Sequence, residues 1–275
     1  MLPHAESPVR LAINPKRMGA GHGHKTGPGM EPSPPKPSPD WCYFLDFDGT
    51  LVDIAPWPDA VIVAPDLADL LSAVVDATGG AVAVVSGRPI REIDELLGGL
   101  PIRVAGQHGM ELRLDPGGDA SLTGRAQDLP AGVREELQAL SARVEGSFVE
   151  DKGMSAALHY RAAPEHGDKL EQAVRALVAA YGGLLSLVPG KCVLEVKMAG
   201  VDKGSAVTQF LELDAFRGRR PVMIGDDITD EDAFRVVNRQ GGVSIHVGDG
   251  SGITEAAFRL RSTADVHGWL ARLGA

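Results

Sequence analysis

The chain has 275 residues, of which 44% are hydrophobic, and it carries a formal net charge of −10 at pH 7. That length and apolar content suffice for one large domain or two ordinary ones, each with its own core. The acidic balance disfavours a basic grip on nucleic acid or on an anionic membrane, so neither partner is expected, and any anionic ligand must be held by local charge.

Residues 1–40 have no hydrophobic period, and they carry Gly19, Gly21, Gly23, Gly27 and Gly29 followed by Pro32, Pro34, Pro35, Pro37 and Pro39. This composition predicts a disordered leader, in which His22 and His24 have no specific metal role. The leader lacks the basic start and apolar stretch of a signal peptide, and no later segment runs about 18 residues without charge. A cytoplasmic setting is expected, with Cys42 and Cys192 as buried thiols rather than a disulfide.

Trp41 to Leu45 is an unbroken apolar run of strand length that ends at Asp46-Phe47-Asp48-Gly49-Thr50. Such a run suits a central parallel strand buried on both faces. Leu67, Leu70, Leu71, Val74 and Val75 then recur at helical spacing until Gly79-Gly80. A second buried strand, Ala81 to Val85, ends at Ser86-Gly87-Arg88, a helix follows from Ile90 to Leu97, and a third strand spans Ile102 to Ala105. Alternating strand and helix predicts an α/β fold, a doubly wound and mostly parallel sheet formed by residues 41–111 and 199–275.

Residues 112–198 have a different texture: strands at Leu112–Leu114, Ser155–Tyr160, Leu184–Val188 and Cys192–Val196, with a turn at Pro189-Gly190. Helices are expected over Val133–Val144 and Leu170–Tyr181. Strands grouped with two helices predict a smaller inserted α+β cap. The alternating pattern returns with a helix Lys203–Leu211, a strand Pro221–Ile224, a helix Glu231–Val237, a strand Gly242–Val247 and a final helix after Ser251.

Asp46 and Asp48 lie two apart, so both carboxylates can leave the strand tip toward one site, at the sheet edge where open parallel sheets bind ligands. Gly49 and Thr50 permit a tight turn whose N–H groups can meet phosphate oxygens. Taken alone, the pair reads better as an acidic turn after a strand. Ser86 can offer a hydroxyl and a backbone N–H, Lys203 opens a helix, and Asp226, Asp227 and Asp230 follow a strand end. Lys203 alone is a surface lysine and the aspartates alone are helix caps. Four such features at four element ends make a set.

Charge binds the set together. A carboxylate about 3.5 Å from a phosphate dianion meets roughly 9 kcal/mol of repulsion at an effective dielectric near 20. A dication and a lysine must cancel it. Asp46 and Asp226 supply hard oxygen ligands suited to Mg2+, while Lys203 adds positive charge at the transition state.

Asp46-Phe47-Asp48-Gly49-Thr50, Val85-Ser86-Gly87-Arg88, Asp202-Lys203-Gly204 and Ile224-Gly225-Asp226-Asp227 with Thr229-Asp230-Glu231 resemble the four ordered motifs of the haloacid dehalogenase superfamily. The resemblance implies that Asp46 is a nucleophile forming an aspartyl-phosphate and that Asp48 is its acid and base. It further implies phosphate binding by Ser86, Gly87 and Lys203. Magnesium would be held by the Asp46 carboxylate, the Asp48 carbonyl and Asp226, with Asp230, and in some measure Asp227, at its edge.

Within that superfamily, Gly106-Gln107-His108-Gly109, Glu150-Asp151-Lys152-Gly153-Met154, His159-Tyr160-Arg161 and Gly190-Lys191-Cys192-Val193-Leu194-Glu195 look like the trehalose-6-phosphate phosphatases. The likeness implies that Glu150, Lys152, Glu195 and His108 bind the sugar of a small phosphorylated substrate; separately, a monomeric chain is expected. Lys197-Met198-Ala199 departs from the pattern, which has Pro after the basic residue. A phosphatase for another sugar phosphate, such as sucrose or mannosylglycerate phosphate, is separated from this reading only by the cap residues. A phospho-acceptor receiver domain would lack both Asp48 as acid and the large insert.

Overall fold

The computed structural model describes residues 33–57, 60–123, 128–249 and 253–274. Most of the expected leader, with His22 and His24, lies outside these residues. Ser33 to Asp40, also assigned to the leader, are tied to the core instead. Pro37 is buried, Trp269 Nε1 donates to Pro35 O at 3.0 Å, and Tyr43 Oη donates to Ser38 O at 2.7 Å. A proline-rich segment loses little backbone freedom on docking, so a few anchors suffice.

β1 (Trp41–Leu45), β2 (Val82–Val85), β3 (Arg103–Gly106), β10 (Arg220–Gly225), β11 (Val243–Val247) and β12 (Phe258–Leu260) form the parallel part of an eight-stranded sheet. The order is β12-β11-β10-β1-β2-β3, with two short antiparallel strands beyond β3, which puts β1 at the centre. The alternation along β1 fills two cores. Tyr43 and Leu45 face the side covered by α1 (Leu67–Ala77), α2 (Ile90–Leu96) and α7 (Thr263–Leu270), while Cys42 and Phe44 face α5 (Lys203–Leu211) and α6 (Glu231–Arg239). The doubly wound core is as expected.

Two boundaries differ. β4 (Glu111–Arg113), expected to open the insert, instead pairs antiparallel with β3, and β5 (Ser121–Leu122) pairs with β4, so both extend the core sheet. The tail after Ser251 contains β12 before its helix, because Phe258 to Leu260 complete the ladder beside β11.

The insert is a separate antiparallel sheet, order β6-β7-β9-β8, built from β6 (Phe148–Asp151), β7 (Ser155–His159), β8 (Leu185–Gly190) and β9 (Val193–Met198). One face packs on α3 (Ala131–Ser141) and α4 (Gly167–Ala180) through Val133, Leu137, Leu158, Val174, Leu194 and Val196. The turn falls at Lys191-Cys192 rather than at Pro189-Gly190. Pro189 stands opposite Leu194 on edge strand β8, a place where its missing N–H is tolerated. Cys192 adopts φ 62 in this turn and is only partly buried, unlike the buried thiol expected; Cys42 is fully buried. Among the described residues no helix is long and apolar enough to cross a membrane.

Candidate active site

The carboxyl ends of β1, β2 and β10, the start of α5 and the open face of the cap sheet surround one cavity of about 230 Å3. It is lined by Asp46, Asp48, Ser86, Gly87, Lys203 and Asp226 from the core, and by Glu150, Lys152 and Glu195 from the cap, with His108 between them. The structure therefore brings the predicted site residues together; Asp230 alone sits just behind this lining.

Lys203 is the first residue of α5. Asp202 caps that helix by accepting from Ser205 N at 2.7 Å, while Ser205 Oγ accepts from Asp202 N, a reciprocal box that fixes where the lysine stem emerges. Its ammonium donates to Asp46 Oδ1 and Asp230 Oδ1, both at 2.6 Å, and the side chain is 3% exposed. Burial opposes this charge, but the two carboxylates outweigh it and hold the lysine protonated.

Asp230 is fully buried, and its second oxygen accepts the N–H groups of Asp226 and Asp227, each at 3.0 Å. Both of its oxygens are thus engaged in setting the lysine and the loop after β10. Gly225 makes room for it: a Cβ there would sit 2.3 Å from the Asp230 carboxyl carbon.

Asp46, Asp226 and Asp230 each bring a carboxylate oxygen within 4.8 Å of the others. Burial first, then the neighbouring carboxylates, raise the pKa of both Asp46 and Asp226 despite Lys203. Asp226 Oδ1 is buried with no hydrogen-bond partner among the described residues. Crowded anionic oxygens with one of them unsatisfied fit a hard cation such as Mg2+. Gly49, at φ 83, permits the closeness, since a Cβ there would lie 2.1 Å from Asp226 Oδ2.

Asp48 is arranged differently from Asp46. Arg88 clasps its carboxylate with two hydrogen bonds and also reaches Glu92 Oε2 at 3.3 Å. Arg88 stood in the quoted motif without a role; a cation between a strand end and α2 was the signal available.

The expected phosphate donors are fewer than the sequence allowed. The Ser86 N–H is spent on Ala105 O at 2.8 Å, in the sheet, and Gly49 and Thr50 donate within their own turn to Val52 O and Phe47 O. The Ser86 hydroxyl remains, positioned by accepting from Arg88 N at 3.1 Å. Gly87 is forced by packing, because a Cβ would lie 2.7 Å from the His108 ring.

On the cap side, Glu195 Oε2 meets His108 Nε2 at 3.3 Å and Lys152 Nζ at 3.4 Å. Burial would raise the Glu195 pKa, but Lys152 and His108 outweigh it and hold its carboxyl well below the usual carboxylate range. Burial lowers His108 in spite of Glu195, favouring the neutral ring. Gln107 and His108 both have positive φ, at 46 and 55, so a costly backbone conformation points the imidazole into the cavity. Glu195 Oε1 and His108 Nδ1 are buried without partners among the described residues. Glu150 is bound by His159 Nε2 at 2.8 Å, a contact the sequence did not indicate. Lys197 donates to Val201 O at 2.7 Å, which clasps the return to the core where Met198-Ala199 replaces the expected pattern.

Residues 44–264 match the family model described as trehalose-phosphatase. The chain is 39% identical over 236 residues to the trehalose-6-phosphate phosphatase of Escherichia coli strain K12, covering 86% of this chain and 87% of that one. It is 40% identical over 234 residues to a probable trehalose-phosphate phosphatase of Sinorhizobium fredii, covering 85% and 88%. In fold it resembles the C-terminal domain of a C. albicans trehalose-6-phosphate phosphatase, with TM-score 0.77, 22% identity and coverage of 85% of this chain and 92% of that one.

Proposed function

The chain belongs to the trehalose-phosphatase family of phosphoric monoester hydrolases, and from that premise we propose that it hydrolyses trehalose 6-phosphate to trehalose and phosphate through an aspartyl-phosphate on Asp46. The observation that carries this reading is the single cavity shared by Asp46, Lys203 and Asp226 at its floor and by Glu150, Lys152 and Glu195 at its roof.

Asp46 and Asp226, with the Asp48 carbonyl, are the groups that would hold magnesium, which when bound supplies positive charge to phosphate oxygens. Asp230 acts beside them by fixing Lys203 and the Asp226 loop. Lys203 orients the attacking carboxylate and balances the charge gathering on the phosphoryl oxygens. An Asp46 oxygen forms the bond to phosphorus as the bond from phosphorus to the sugar oxygen breaks. The departing sugar oxygen takes a proton from Asp48, which then accepts one from the water that attacks the aspartyl-phosphate, freeing phosphate and restoring Asp46. Arg88 engages both Asp48 carboxyl oxygens, so proton transfer by Asp48 requires that pair to loosen as substrate enters.

At the roof, Glu195 Oε1 and the Lys152 ammonium are matched to sugar hydroxyls, which both donate and accept. A buried acceptor without a partner gains a full hydrogen bond when such a hydroxyl arrives.

A phosphate-release screen over sugar phosphates, with and without magnesium, tests the proposal. Trehalose 6-phosphate should have the highest kcat/KM, and chelation should abolish turnover. Preference for sucrose phosphate or mannosylglycerate phosphate would overturn the substrate assignment while leaving the phosphatase chemistry in place.

A further inference from the structure

Sugars offer two kinds of surface to a protein: edges of hydroxyls, and flat faces of C–H groups. The polar lining described above addresses only the edges. An apolar wall is needed for the faces, and aromatic rings supply one at low entropic cost because they have few rotatable bonds.

One side chain at the cavity meets that need. Trp57 lies on the core loop between β1 and α1 and lines the cavity with Ile54, Pro56 and Val61. Despite its size it is 49% exposed. Leaving so large an apolar surface in water forgoes the burial energy a tryptophan normally contributes, and exposed apolar surface at a cavity marks a binding wall.

Its position is set by the cap. Trp57 packs against Phe148 of β6 with ring centroids 5.8 Å apart at 40°, and Phe148 stacks on His159 of β7 at 4.6 Å and 7°. His159 in turn binds Glu150. Among the described residues the Trp57–Phe148 pair is the aromatic contact that crosses from core to cap. A row of three rings thus ends on a carboxylate assigned to sugar binding.

We propose that Trp57 is a specificity-determining residue of the hydrolytic reaction, presenting its indole to the C–H face of the sugar ring remote from phosphorus and so favouring a disaccharide phosphate over a smaller one. The inference rests on the sugar-phosphatase reading above and adds a residue to it. Phe148 and His159 are positioning residues that brace the indole against the cap.

The test uses the full chain with Trp57→Ala and Trp57→Phe, assayed on trehalose 6-phosphate, glucose 6-phosphate and p-nitrophenyl phosphate. Trp57→Ala should raise KM for trehalose 6-phosphate by on the order of tenfold while leaving kcat/KM for the two smaller esters within about twofold, and Trp57→Phe should restore most of the loss. Indole emission gives an independent reading. In an Asp46→Asn background, trehalose should change emission when Trp57 is present and not when it is Phe. Equal losses on all three esters would make Trp57 a structural residue. An unchanged KM for trehalose 6-phosphate with no emission change would remove it from the site. If the unaltered chain prefers another sugar phosphate, the parent reading fails separately. The same Ala and Phe comparison on the preferred ester then decides for or against Trp57.

Discussion

Arg88 and Asp48 are joined at two points, Nε to Oδ2 at 2.7 Å and Nη2 to Oδ1 at 2.8 Å, with the guanidinium 11% and the carboxylate 35% exposed. Only a planar fork makes both bonds at once. Arg88→Lys keeps the charge but loses that geometry, so Asp48 should wander among rotamers and kcat should fall roughly tenfold on trehalose 6-phosphate and on an aryl phosphate alike. Arg88→Met should cost about ten times more again. Full activity in Arg88→Lys would show that charge alone matters there.

The proposed nucleophile gives the largest expected effect. Asp46→Asn preserves shape but removes the charge proposed to attack phosphorus, and among the described residues it leaves Lys203 paired with Asp230. Turnover should drop by on the order of 10³-fold or more. Rates above about a tenth of the unaltered chain would exclude Asp46 from this role.

Two glycines separate backbone cost from site geometry. Gly49 has φ 83 and a Cβ position 2.1 Å from Asp226 Oδ2, whereas Gly98 has φ 64 and nothing within 4 Å. Each Ala variant should lose about 1–2 kcal/mol of stability from the left-handed backbone. Gly49→Ala should also lose most of its activity, because Asp226 must move. Denaturant unfolding and phosphate release on the pair check this, and similar activities would mean that Asp226 tolerates displacement.

The segment before β1 has a measurable role. A chain starting at Trp41 loses the hydrogen bonds made by Pro35, Ser38 and Pro39 to Trp269, Tyr43 and Arg219. At about 1 kcal/mol for each of the three part-buried bonds, and about 2–4 °C per kcal/mol for a chain of this size, Tm should fall by roughly 6–12 °C relative to a chain starting at Ser33. Equal melting temperatures would mean that these contacts do not contribute to stability.

The core was legible because buried parallel strands are unbroken apolar runs, and the runs at 41–45 and 81–85 could hardly be anything else. Phe148 to Asp151 neither alternate nor run, so β6 was unreadable. β4 was readable as a strand but not its partner, since chain order does not tell which edge a strand joins. At the site, residue identities and element ends pointed to Asp46, Lys203 and Asp226, whereas the cap carboxylates Glu150 and Glu195 were indicated by the family resemblance alone. Side-chain direction was not encoded in spacing. That Asp48 turns to Arg88 while Asp46 turns to Lys203, and that Asp230 braces the loop, depend on rotamers chosen by packing. Trp57 lay between prolines in a loop, where no period marks a functional ring.

Replacing Glu195 tests the proposed division of catalysis and specificity between core and cap. It lies on β9, is 6% exposed, and touches Lys152 and His108 rather than Asp46 or Lys203. Its hydrogen bonds to a disaccharide would form as the cap seats on bound substrate, so binding energy far from phosphorus would be used to exclude water. Glu195→Ala should lower kcat/KM for trehalose 6-phosphate by roughly 10²-fold, the scale of about 3 kcal/mol for a lost charged hydrogen bond. A small aryl phosphate does not extend to the cap, and its slow hydrolysis should be nearly unchanged. Equal losses on both substrates, with a lower Tm, would assign Glu195 to holding Lys152 and His108 in place. No loss on either would remove it from the sugar site, and with it the strongest cap-side support for a disaccharide substrate.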